Sequence, residues 1–159
     1  LITHSPYMLR SYRPAQHKLL ILSREDDGPS IRYSEELGLV ANQKPSLGEI
    51  TYFAFGISSP EFHDELWGEI QVITKPKSEW SLNVCLHDTH KLPYDKEWKR
   101  DDRPNDGPEE ATLPYFIRNS IHHPENRLNA PYTDDELEES TESLIAVLKT
   151  LQSTQVSTP

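Results

Sequence analysis

The chain has little with which to build a covalent frame or a thick apolar interior. Cysteine occurs once, as Cys85, which excludes an internal disulfide framework. Apolar residues are 35% of the sequence, well short of the usual share of about 45–50%. No apolar run approaches the roughly 18–20 residues of a membrane span, and no signal-peptide pattern is read. A reduced, cytoplasmic setting with no membrane partner is therefore the expectation. The length is 159 residues, about one domain, and a chain of that size buries about 68–70% of its surface without metal or disulfide. Charged residues at 26% and 13 prolines point to a lean core carrying much loop.

The formal charge of −10 argues against a nucleic-acid partner only if it is evenly spread. It is not. Positions 134–142 hold six acids and no base, whereas 91–103 hold five bases against four acids. Positions 114–129 hold Arg118, Arg127, His122 and His123 against the single acid Glu125. A locally neutral or basic site on an acidic protein fits these counts.

Periodicity and capping residues sketch the elements. Leu1 and Ile2 read as the end of a buried strand, so the chain opens like the interior of a longer reading frame. A strand over 17–23, a turn at Asp27-Gly28-Pro29 and a partner over 30–33 predict a hairpin. Ser46 is placed to cap a helix over 47–55, with Glu49 at the capping-box position and Gly56 as its stop. Ser59-Pro60-Glu61 opens a second helix with Phe62, Leu66, Ile70 and Ile73 as its core stripe. Positions 78–86 alternate like a strand through Trp80, Leu82, Val84 and Leu86, yet also fit a helix. Positions 92–110, rich in proline and charge, predict an exposed, poorly ordered insertion. A helix over 113–123 must stop at Pro124. Thr133 and Glu136 form a capping box for the last helix, with Leu137, Leu144, Ile145, Leu148 and Leu151 inward. Disorder is expected over 153–159.

The densest chemistry is Arg118-Asn119-Ser120-Ile121-His122-His123. On a helix, Arg118 and His122 stack one turn apart, with His123 rotated about 100° further. A guanidinium donates to phosphate oxygens in pairs, and an imidazole can take or give the proton of a hydroxyl. Two histidines at a helix C-terminus also suit its dipole and brace the turn at Pro124, so a structural role stands beside the chemical one.

This segment resembles the R-x(4–6)-H motif of the HEPN superfamily, whose domains are helical bundles and often metal-independent ribonucleases. Arg118, Asn119 and His123 match it with four intervening residues, and His122 falls outside it, as a helper or a structural residue. The resemblance implies attack of a ribose 2′-hydroxyl on the adjacent phosphate, with His123 as acid–base and Arg118 on the phosphate. It also implies a homodimer, and it covers about 113–151.

The string Leu1-Ile2-Thr3-His4-Ser5-Pro6-Tyr7 resembles the switch-histidine segment of ABC-type ATPases related to the RecF and OLD families. There the histidine senses the terminal phosphate of ATP, a role that the resemblance carries to His4 within an intact ATPase. No G-x-x-x-x-G-K-[ST] loop occurs in the chain, so ATP is implied for a parent protein and no cofactor for this chain alone.

Gly48-Glu49-Ile50 and 61–66 resemble segments of uncharacterised phage-defence-type proteins, which would bring His63 and Glu49 towards the same site. His63, Asp64 and Glu65 lack an H-E-x-x-H spacing, and no metal site is expected. Ser5, Ser58 and Ser59 have no G-x-S-x-G context, and Cys85 sits in a plain apolar run.

The expected fold is mostly α, a helical bundle with a small N-terminal β element, with α+β as the alternative. Its parts are a remnant of an ATPase core edge over 1–45, a HEPN-like helical domain over 46–152 with the insertion at 92–110, and the tail. The expected function is an RNA-cleaving effector, tRNA among its substrates, controlled by the ATPase core of its parent in antiphage defence. The competing expectation is a non-catalytic regulatory or dimerisation module.

Overall fold

The computed structural model describes residues 5, 8, 13, 16–25, 28–33, 37, 39–40, 45–103 and 105–156. His4, Leu1 and Ile2 lie outside the described residues, as do 34–36, 38 and 41–44. Helices dominate, and two small antiparallel hairpins accompany them. No helix among the described residues is long and apolar enough to cross a membrane.

The first hairpin pairs β1 (Leu20–Glu25) with β2 (Gly28–Tyr33). Alternation turns Ile21 inward onto Ile50 and Leu37, while Leu20, Leu22, Ile31 and Tyr33 stay exposed. The strands run closer to the turn than the sequence suggests, and Gly28, at φ 127°, takes a conformation that favours glycine.

Helix α1 (Leu47–Phe55) starts at Ser46, whose hydroxyl accepts the Glu49 N–H at 3.0 Å. The Glu49 side chain is buried and accepts the Leu39 N–H at 3.0 Å. Gly48 is required by packing, because a Cβ there would come within 2.7 Å of Phe62 Cβ. Helix α2 (Pro60–Thr74) is capped by Ser59 and buries Phe62, Leu66 and Ile70 as its spacing requires.

The ambiguous stretch resolves as helix α3 (Glu79–Asp88). Ser78 and Ser81 cap each other's backbone N–H groups at 3.1 and 2.9 Å. Leu82 and Leu86, one turn apart, are buried while Trp80 is exposed, so the helical period outweighs the alternation.

The expected exposed insertion at 92–110 is corrected by the structure. β3 (Tyr94–Trp98) pairs antiparallel with β4 (Glu109–Thr112). Trp98, only 5% exposed, joins the main core with Ala111. The charge and proline of the connection mask the alternation of Tyr94, Lys96 and Trp98 with acids. Asn83 of α3 fixes the end of β4: its Nδ2 donates to the Glu110 carbonyl, and its Oδ1 accepts from Thr112 N and Oγ1 at 3.0 and 2.9 Å. The β content is therefore not confined to the N-terminus.

Helix α4 (Leu113–His122) follows β4 directly, and His123 caps it by donating its N–H to the Asn119 carbonyl. Helix α5 (Asp134–Val156) has the expected capping box, Thr133 N–H to Glu136 and Glu136 N–H to Thr133. The helix continues to Val156, past the start of the expected tail, and 157–159 lie outside the described residues. Leu137, Leu144, Ile145 and Leu148 of α5 complete a core with α2 and α4. Lys96 of β3 pairs with Glu136 at the head of α5.

Candidate functional site

Helix α4 carries Arg118, Asn119 and, at its end, His123 into one open cleft of about 360 Å³. Tyr115 lies one turn before Arg118 and lines the same cleft, as do Trp98 at the end of β3 and Arg100 just past it. The three residues matched by the sequence motif are thus brought together. His122 is not among the residues lining the cleft. Its Nε2 donates to Asp64 Oδ1 of α2 at 2.6 Å, which ties α4 to α2.

Arg118 is firmly held. Its Nη2 donates to Glu79 Oε1 at 3.0 Å and its Nη1 to Asn119 Oδ1 at 3.1 Å. Glu79, in the first turn of α3, also accepts from Trp67 Nε1 at 2.8 Å and Gln71 Nε2 at 2.9 Å. One carboxylate therefore joins α2, α3 and α4. The Arg118 side chain is 17% exposed, and its Nε is buried with no hydrogen-bond partner among the described residues. A guanidinium has five N–H donors, so the two bonds above leave others for a ligand.

His123 is held loosely. Its side chain is 47% exposed, with Glu125 Oε1 at 3.4 Å from Nδ1 and the Trp98 ring 6.3 Å away. Around it the cleft mixes charges. Arg100 donates to both carboxylate oxygens of Asp102, at 2.9 and 3.0 Å. That bond raises the Arg100 pKa and lowers that of Asp102. Tyr115 donates to Glu109 Oε2 at 3.2 Å, and burial is the main cause of its raised pKa. Arg100 and Arg118 line the cavity together with Glu79, Asp101 and Asp102. In one copy of the chain the cleft is thus no basic patch.

The other polar residues singled out by sequence do not reach this cleft. His63 is fully buried, with Nε2 and Ser140 Oγ of α5 2.8 Å apart. Its Nδ1 has no hydrogen-bond partner among the described residues. Burial lowers its pKa to about 4 against a smaller opposing pull from Asp64, so the ring is neutral at pH 7. Asp64 turns to His122 and Glu65 accepts from the Ser46 hydroxyl. Three adjacent residues thus serve three separate contacts. Among the described residues no group of three His, Cys, Asp or Glu is placed to share a metal ion.

Sequence reading missed Glu79, Tyr115, Trp98 and Arg100. Tyr115 had a local signal, three residues before Arg118 on the same helix. The others reach the cleft through tertiary packing, Trp98 and Arg100 from a segment expected to be exposed insertion. No family model matches the chain, and no curated protein or solved structure matches it.

Proposed function

We propose that the chain is a HEPN-like, RNA-cleaving effector domain whose site is the cleft of Arg118, Asn119 and His123. The observation that carries this reading is the convergence of those three side chains on one open cavity. Arg118 donates to the phosphate through its uncommitted N–H groups, with Asn119 steadying the guanidinium. His123, the exposed partner, exchanges the reacting proton. The ribose 2′-oxygen bonds to the adjacent phosphorus as the bond from phosphorus to the next nucleotide's 5′-oxygen breaks. The 2′-hydroxyl proton leaves to a base and the departing 5′-oxygen takes up a proton. The products are a 2′,3′-cyclic phosphate and a 5′-hydroxyl.

A homodimer, implied by the HEPN resemblance, would supply the second acid–base group. The ATPase core of a parent protein, implied by the resemblance around His4, would control the domain in a cytoplasmic antiphage system. The test is the end chemistry of products from a structured RNA pool, tRNA included. Cyclic phosphate and 5′-hydroxyl ends are expected; intact RNA, or 5′-phosphate ends, would contradict the proposal.

A second reading rests on the Arg118–Glu79 bridge. A guanidinium that joins three helices through Glu79 also suits a non-catalytic regulatory or dimerisation module. In that module, loss of Arg118 would alter stability or assembly and no cleavage would be seen.

A further inference from the structure

A second cavity, of about 250 Å³, adjoins the Arg118 cleft, and Trp98 and His123 line both. It is made where the connection between α4 and α5 folds over the end of β3. Asn126 Nδ2 donates to the Lys99 carbonyl at 2.8 Å. Asn129 donates to the same carbonyl at 2.9 Å and accepts the Lys99 N–H at 2.8 Å. These bonds set Tyr132, Pro124 and Pro131 around a hollow that Trp98 also walls.

The two cavities differ in charge. Glu79, Asp101 and Asp102 line the first, whereas no carboxylate is among the residues lining the second, which has Arg127 and His123. Arg127 is exposed and makes no hydrogen bond or ion pair among the described residues. The loop itself takes up part of the capacity of the neutral polar groups. Asn126 and Asn129 bond Lys99 and the Leu128 N–H, and the Ser120 hydroxyl donates to the Phe116 carbonyl. The hollow also offers aromatic and apolar surface beside a cation, which suits a flat heterocycle with a phosphate attached.

We propose that this second cavity seats the base of an unpaired nucleotide, with its phosphate on Arg127 and beside His123. The inference rests on the RNA-cleaving reading and deepens it. The substrate is single-stranded at the cut, and the identity of the seated base matters little, because stacking on an aromatic face tolerates every base.

The test titrates the full chain with the four nucleoside 3′-monophosphates and with inorganic phosphate, following the Trp98 indole and His123 ring signals by NMR. Each nucleotide is expected to bind about ten-fold or more tightly than phosphate, a gain of the size that stacking on an aromatic ring gives. The four are expected to agree within about three-fold, because stacking supplies the gain and every base has a π-face. Tyr132→Ala should remove the gain over phosphate while Tyr132→Phe keeps it, and Arg127→Ala should weaken nucleotides and phosphate together. Nucleotides binding no better than phosphate in the wild type would overturn the inference, whatever the variants do. So would one base strongly preferred. Cleavage of RNA without a nucleotide preference over phosphate defeats this inference alone; a base-tolerant preference without cleavage defeats the ribonuclease reading alone.

Discussion

Arg118 and His123 stand five positions apart at one end of α4, and they are held in opposite ways. Arg118 belongs to a wall. It is mostly buried, shares Glu79 with Trp67 and Gln71, and so helps to hold α2, α3 and α4 together. His123 belongs to a loop, half exposed, with Glu125 beside it at 3.4 Å. A side chain anchored on three helices gives position, and one that is loosely held can change partner during a proton transfer. The difference means that the two residues should separate when fold and chemistry are measured side by side.

The largest expected effect is on chemistry alone. His123→Ala should lower RNA cleavage about 10²–10⁴-fold, the usual worth of a general acid–base group. Its unfolding free energy should stay within about 0.5 kcal/mol of wild type, as for an exposed side chain. Parallel cleavage assays and urea melts check both halves.

Next in size is a pH effect in the core between α2 and α5, at His63. Its folded pKa of about 4 lies below the ordinary value of 6.5, so on acidification the unfolded chain takes the proton first. Stability should be full above pH 6.5, fall as pH drops to about 4, and then level off. The loss amounts to about 3 kcal/mol. Urea melts across that range should show the slope in the wild type and a much shallower one in His63→Gln.

Arg118→Ala should lose activity like His123→Ala, but it should also destabilise the fold. Removing it takes one donor from Glu79, at a cost of about 1–3 kcal/mol, towards the lower end because Glu79 is part-exposed and keeps Trp67 and Gln71. A destabilisation without any activity to lose would favour the regulatory module. The smallest effect is expected at Asp64→Asn, which weakens the half-exposed contact with His122 by about 0.5 kcal/mol and leaves cleavage unchanged.

Local physics explains what could be read from the sequence. Ser46, Ser59 and Thr133 announce their helices because a cap acts on N–H groups two or three residues away, and the structure places each as a cap. The Phe62, Leu66 and Ile70 stripe needs only the helical period. Positions 78–86 were ambiguous because Trp80 and Val84 mimic alternation, and burial of Leu82 and Leu86 decides the outcome. The second hairpin was missed because what orders it is distant: Trp98 in the core, Asn83 on β4, and Lys96 on Glu136. The candidate site divides likewise. Arg118, Asn119 and His123 are neighbours on one helix end and were legible. Glu79, Trp98 and Arg100 become neighbours only on folding.

The most direct measurement compares wild type, His123→Ala and His122→Ala on one structured RNA pool under identical conditions. His122 and His123 are adjacent in sequence, yet only His123 lines the cleft, while His122 turns to Asp64. Cleavage is expected from wild type and His122→Ala, with near-complete loss in His123→Ala. Equal products from wild type and His123→Ala would contradict a site built on Arg118 and His123.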